Sequence, residues 1–147
     1  MADRLTPEQR SALMRRIKPA GTTLELWARA VVAAAWGPDL VFNDRSLPGS
    51  PDVAVHALKV AVFADGCFWH LCRRCVAAGR VRIPPHARWI SKLEANRRRD
   101  RRVRERLWRM GWRTVTLMEH EMGDAGIVEK LQGRLRGAKT NRGGQNV

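Results

Sequence analysis

The chain has 147 residues, which suits one domain with a single core and leaves little room for a second. Its 28 basic side chains against 14 acidic ones leave a net charge of +14, mostly arginine, so a polyanion is the expected partner, with nucleic acid favoured over an acidic membrane. No apolar run approaches the roughly 20 residues that span a bilayer, and the amino end lacks a charged-then-apolar secretory signal, so the expected setting is cytoplasmic. There, the 3 cysteines cannot pair off among themselves and are better suited to holding a metal.

In chain order, "TPEQRSALMRRIK" predicts a short helix up to about Lys18, with Thr6 as N-cap, Pro7 in the first turn and Gln9 closing a capping box. Leu13, Met14 and Ile17 form a thin apolar patch, as expected of an arm that orders when something docks on it. "TTLELWARAVVAAAWG" predicts a core helix, opened by Thr22 with Glu25, striped by Leu26, Ala30 and Val31, and stopped at Gly37. "LVFN" predicts a short strand and "SLPGSP" a rigid turn. "DVAV" and "KVAVFA" predict a buried hairpin turning at Ala57 to Lys59, which brings Asp52 close to Ala64 and Asp65.

From Ala87 to Met110 the absence of Gly and Pro predicts a long helix ending at Gly111. One face carries Trp89, Leu93, Asn96, Asp100, Val103, Leu107 and Met110, apolar at both ends and polar in the middle. "WRTVTLME" predicts a strand and "AGIVEKLQGRLR" a closing helix. The expected organisation is an arm over 1–20, an α/β domain over 21–136 built on one mixed sheet, and a disordered tail over 137–147.

Asp52, held by Pro51 at a strand edge, can place a hard divalent cation against a phosphate; the bland alternative is a Pro-Asp that only caps the strand. Asp65 strengthens the cation reading by its nearness in the hairpin. Nucleases of the PD-(D/E)xK type place an acid and a lysine two apart on the second strand, slots filled here by Phe63 and Asp65. Without that lysine, His70 is the candidate for activating water, unless it is a zinc ligand or structural. Cys67, Cys72 and Cys75 read as three of four ligands of a structural zinc, rather than as buried free thiols. Spacing alone leaves His70, His86 and His120 open for the fourth.

Phe68 and Trp69, between a thiol and a polar histidine, read as a wedge for base steps, with core packing as the alternative; for Trp89 core packing is favoured. The arginines of "NRRRDRRVRERLWR", Arg97 and Arg98 among them, outnumber their acidic neighbours and read as phosphate contacts rather than a merely solvated face. Asn96 and Asp100 either close a structural hydrogen-bond network or face a cleavage site.

"RSALMRRIK", "TTLE", "SLPGSPD", "FADGCFWH", Trp89, "EANRRRD" and "GWRTVTLMEHEM", in order from Arg10 to Met122, together resemble the very short patch repair (Vsr) endonucleases. The resemblance implies a restriction-endonuclease-like fold with a structural zinc site. It also implies a magnesium-dependent nick 5′ of a thymine mispaired with guanine, the lesion left by deamination of 5-methylcytosine. Asp52 and the Ala64 carbonyl would hold magnesium, His70 would be catalytic, and Glu25 would help order metal-bound water. Asp65 falls where the family has a second catalytic histidine, and is expected to act in catalysis or to bind metal directly. Zinc would take Cys67, Cys72, Cys75 and His120, the last in place of a family cysteine. Phe68, Trp69 and Trp89 would wedge in from the major groove, Met14 and Ile17 from the minor groove, and Asn96 would lie near the scissile phosphate.

The implied protein is a bacterial, nucleoid-associated monomer acting on mismatched duplex DNA, with mismatch-repair proteins as possible partners and no membrane. Two other readings compete with it: a Vsr-like nuclease that cuts matched or modified DNA, and a zinc-stapled DNA-binding module without activity.

Overall fold

The computed structural model describes residues 23–138. The predicted first helix, with Met14 and Ile17, and the Thr22 cap lie outside these residues. Helix α1 spans Thr23–Trp36, followed by β1 (Val41–Phe42), β2 (Val53–Val55), β3 (Val60–Asp65), α2 (Arg73–Ala77), α3 (Ala87–Arg109), β4 (Arg113–Met118), a 3-10 turn (Glu119–Glu121) and α4 (Ile127–Ala138). The sheet order is β1-β2-β3-β4, antiparallel through β3 and parallel between β3 and β4. This is the expected mixed α/β class. None of the described helices is long and apolar enough to cross a membrane.

Strand alternation explains the layers. Val53, Val55, Val60, Val62, Val115 and Leu117 pack against Ala28, Val31 and Val32 of α1 and Ile127, Leu131 and Leu135 of α4. Ala54 and Ala61 point the other way, toward Leu47, Trp112 and Leu107 of α3, with Phe63 and Val103 at the margin. A parallel β3–β4 pair needs a long crossover, and α3 fills it.

Three expectations need correction. The buried face of α1 is Ala28, Val31 and Val32, whereas Leu26 is 53% exposed and Ala30 is exposed; apolar residues sit on every side of this helix, so periodicity could not fix its phase. Met110 leaves the α3 stripe at 48% exposure, because the helix stops at Arg109 and Gly111 takes φ +83°. The final helix continues to Ala138, past the expected boundary at 136. The short helix α2 had no signal beyond the cysteine spacing.

The "SLPGSP" turn is rigid for two reasons. Buried Asp44 accepts hydrogen bonds from the Ser46 amide at 3.0 Å and hydroxyl at 2.5 Å, and its other oxygen is 2.6 Å from His56 Nε2. These bonds to Ser46 and His56 hold its carboxyl below the usual range. Gly49 has φ +76°, and a Cβ there would lie 2.4 Å from Val103 Cγ1 on α3. The turn therefore docks backbone-first on the long helix, and it leads directly into Pro51 and Asp52. Gly49→Ala combines an unfavourable backbone with overpacking and is expected to cost about 2–4 kcal/mol. A thermal melt should show a midpoint lower by roughly 10 °C; an unchanged midpoint would contradict this packing.

Candidate active site and metal centre

The Lys59 carbonyl accepts the Arg113 amide at 2.9 Å, so odd-numbered residues of β3 bond toward β4 and even-numbered ones toward β2. Ala64 obeys this alternation: its N–H donates to Asp52 Oδ2 at 2.7 Å. A strand residue aims its N–H and C=O to the same side, so the Ala64 carbonyl faces the same edge as the Asp52 carboxylate. An all-oxygen edge of this kind suits a hard cation such as magnesium.

Electrostatics test that fit. Burial raises the Asp52 carboxyl to about 6; the Ala64 amide opposes the rise, and the negative charges of Glu25 and Asp65 add to it. Glu25 comes from the first turn of α1, where it also lies 4.0 Å from Arg29 Nη2. A half-buried acid crowded by two others is unfavourable as an anion, and a divalent cation is the natural remedy.

Asp65, which follows Ala64 at the end of β3, connects this edge to His70. The imidazole Nδ1 lies 2.5 Å from Asp100 Oδ2 on α3 and 3.6 Å from Asp65 Oδ2. Burial works to lower the His70 pKa, but the Asp100 hydrogen bond and the charges of Asp65 and Asp100 outweigh it, so the net shift is upward. With Nδ1 occupied, Nε2 is the nitrogen left for a water or a phosphate. Asp100 thus turns from the α3 stripe to the candidate catalytic histidine, while Asn96 Nδ2 donates to the Trp69 carbonyl at 3.4 Å.

Asp65 is 6% exposed and accepts a hydrogen bond at 3.0 Å from Arg104 Nη2, which also donates to Thr116 Oγ1 at 2.8 Å. Burial pushes the Asp65 carboxyl up; the charges of His70 and Arg104 oppose this. Sequence reasoning missed Arg104, which sits within a run of arginines that all look alike from composition.

On the far side of Asp65, the sulfurs of Cys67, Cys72 and Cys75 lie 3.4, 3.5 and 3.5 Å from His120 Nδ1. All four ligand atoms fall within 4.8 Å of one another. Bond lengths of about 2.3 Å to sulfur and 2.0–2.1 Å to nitrogen give a tetrahedral edge of about 3.5 Å, so the cluster already has the dimensions of a zinc site. Of the three histidines that spacing left open, His120 reaches the thiols, His70 is engaged by Asp100, and His86 is exposed just before α3.

Helix α2 carries Cys75 inward, and the 3-10 turn carries His120. Glu119 and Glu121 anchor that turn, the first by accepting the Cys67 amide at 3.1 Å and the second by pairing with Arg134 of α4. Burial, with the crowding of Cys75 and Cys72, pushes the Cys67 thiol up to about 12 against a lowering hydrogen bond from His120. Without a cation the Cys67 thiol holds its proton. A bound zinc would deprotonate the thiols it binds.

Comparison with known proteins adds a second line of support. Residues 2–76, half of the chain, match the family "DNA mismatch endonuclease Vsr". The chain belongs to the Vsr family. It is 33% identical over 144 residues to the DNA mismatch endonuclease Vsr of Escherichia coli K12, covering 90% of this chain and 86% of that protein. It is also 34% identical over 132 residues to the type II nicking enzyme V.XorIIP of Xanthomonas oryzae pv. oryzae, covering 88% and 93%. With the type II nicking enzyme V.NmeDIP of Neisseria meningitidis serogroup C it shares 38% identity over 126 residues, covering 82% and 80%. The mixed sheet with helices on both faces is consistent with the restriction-endonuclease-like fold of Vsr proteins.

In this Vsr-family chain, Phe68 meets Trp69 and Trp89 edge to face at centroid distances of 5.1 and 5.8 Å, and the two tryptophans lie tilted to each other at 5.9 Å. They pack on one another rather than in either core cluster, and Trp69 is 39% exposed. Lys92 Nζ lies 5.2 Å from Trp69 and 5.7 Å from Trp89, placing a cation on the aromatic ridge. Arg97 lines the cleft with His70, and Arg98 is exposed on α3.

Two measurements follow from this geometry. The raised Asp52 carboxyl favours folding while protonated; that contribution is complete below about pH 4 and is lost as the pH rises through about 6. Asp52→Asn is therefore expected to stabilise the metal-free protein at pH 7 by about 1–3 kcal/mol, with no gain below about pH 4; denaturation at both pH values checks this. For the thiol cluster, His120→Ala is expected to cut bound zinc well below about one ion per chain and to lower stability, whereas His70→Ala leaves the zinc content intact. Elemental analysis of the purified variants reads both.

Proposed function

We propose that this chain is a magnesium-dependent endonuclease that nicks DNA 5′ of the thymine in T:G mismatches arising from 5-methylcytosine deamination. Vsr membership makes it a DNA-nicking hydrolase. The observation that supports the finer reading is that Asp65, the residue after Ala64, links the Asp52–Ala64 edge to the His70–Asp100 pair, lying 3.6 Å from His70 Nδ1.

Asp52 and the Ala64 carbonyl would hold magnesium, and Glu25 would order its water shell. When bound, that ion supplies charge stabilisation for the phosphate. The chain's own residues handle the proton. Asp100 fixes the Nδ1 proton of His70 and so directs the lone pair of Nε2 outward. Nε2 takes a proton from water as the water oxygen bonds to phosphorus and the phosphorus–O3′ bond breaks, the departing O3′ taking a proton from solvent, and the Asp100 carboxylate stabilises the imidazolium that forms.

Selectivity would come from the aromatic ridge. Inserting Phe68, Trp69 and Trp89 beside a base pair costs a few kcal/mol of unstacking, and a wobble pair yields more readily than a matched one. Arg97 and Arg98 would hold the backbone and Asn96 would border the scissile phosphate.

A nicking assay with magnesium on T:G and T:A duplexes of one sequence tests the reading. The wild type is expected to nick the T:G duplex, and Asp52→Ala to be slower by about 10³-fold with binding retained. Equal inertness of both proteins with intact binding would point to a DNA-binding module; strong cutting of T:A would remove the mismatch requirement.

A further inference from the structure

We infer that Arg104 is a phosphate-contacting catalytic residue of this chain and that Asp65 is its positioning residue rather than a ligand of the catalytic cation. The inference rests on the nuclease reading above and deepens it.

Asp65 has the position of a metal ligand, at the end of β3 next to Ala64, yet its bonding is that of an anchor. Its Oδ2 accepts from Arg104 Nη2 at 3.0 Å and lies 3.6 Å from His70 Nδ1. The same Nη2 donates to Thr116 Oγ1 at 2.8 Å. Thr116 is opposite Phe63 in the parallel register, so both acceptors belong to the paired strand ends.

Two acceptors on one guanidinium nitrogen fix the plane of the whole group. Its remaining N–H groups have no partner among the described residues, and they border the open cleft that His70, Arg97 and Arg101 also line. A planar cation with spare donors, braced from behind and set one carboxylate away from the candidate base, is built to bond the non-bridging oxygens of a phosphodiester. Arg97 and Arg101, one helical turn apart on the same face of α3, border the same cleft without such bracing among the described residues. Their expected share is backbone affinity, whereas Arg104 is expected to act on the reacting phosphate.

A cycle of Asp65→Asn, Arg104→Gln and the double variant, measured as single-turnover nicking of T:G DNA over a magnesium titration, tests the assignment. Arg104→Gln is expected to slow nicking about a hundredfold with duplex affinity changed only a few-fold. Asp65→Asn is expected to slow it less, and the double variant to stay close to Arg104→Gln, because Asp65 acts on the phosphate through the arginine and His70 keeps its bond to Asp100. Arg104→Lys should not rescue the rate, since one ammonium cannot keep both acceptors and still reach the phosphate in a fixed plane. The half-activating magnesium concentration should stay unchanged in all four.

If Arg104→Gln folds poorly because it leaves Asp65 buried without a cation, the double variant removes both charges and carries the rate measurement. A manganese titration of the wild type and Asp65→Asn, followed by electron paramagnetic resonance, adds a readout independent of cutting. Equal manganese affinity supports the assignment. Weakened manganese binding in Asp65→Asn, or wild-type nicking rates in a folded Arg104→Gln, would overturn it. A wild type inert on T:G DNA would defeat the mismatch reading instead, and the manganese comparison would still decide whether Asp65 is a ligand.

Discussion

Both candidate centres depend on the parallel pairing of β3 with β4, with Val60 opposite Arg113 and Asp65 opposite Met118. Where the two strands end, the chain segments beyond them lie side by side. Cys67 follows β3 and His120 follows β4, so thiols and imidazole separated by 45 to 53 residues in sequence arrive within 3.5 Å of each other. The same register sets Thr116 opposite Phe63 and so diagonal to Asp65 on one face, which lets one arginine of α3 bridge them. A slip of one residue would turn every side chain of β4 to the opposite face and dissolve both arrangements at once.

The charge distribution around β3 separates one carboxylate from the rest. In a chain of net charge +14, Glu25, Asp52, Asp65 and Asp100 nevertheless converge. The protein answers Asp65 with Arg104 and Asp100 with His70, and sets Arg29 within 4.0 Å of Glu25. Asp52 receives a main-chain amide, which is a dipole and not a charge. Of these acids it is the one without a cationic partner among the described residues, which supports the proposal that a cation sits at Asp52 and its neighbouring carbonyl. On the proposed assignment, arginine pairing at Asp65 keeps a second acid near the site without demanding a second ion.

Much of this was legible in the sequence, for identifiable reasons. The hairpin could be read because Val, Ala and Phe alternate across a short turn, and the hairpin alone predicts that Asp52 reaches Ala64. The long helix could be read because no Gly or Pro interrupts it before Gly111. The choice among three histidines for the thiol cluster could not be made from spacing, because it rests on strand pairing across the intervening helix. Arg104 was hidden for a different reason: a run of arginines carries no local sign of which one faces inward. The face of α1 was misjudged because its apolar residues surround the axis. Asp100 was recognised as needing a partner, but its partner is a residue 30 positions away, and only the docking of α3 on the β3 end reveals it.

The thiol cluster and the candidate cleavage site are also joined through the chain between them. Phe68, Trp69 and His70 lie between Cys67 and Cys72, and the Cys72 amide donates to the Cys67 carbonyl at 2.9 Å, closing the loop on itself. Leu71 completes it with φ +49°, a conformation that costs energy unless its surroundings impose it. A zinc ion held by Cys67 and Cys72 would fix both ends of this loop, and with them the aromatic ridge and the imidazole. Ordering such residues only when DNA arrives would cost about 1–2 kcal/mol each in backbone entropy. On the proposed reading, setting that cost against folding rather than binding leaves more of the interaction energy for opening the base stack, so a metal that never touches the phosphate would still govern how well the proposed wedge and base perform.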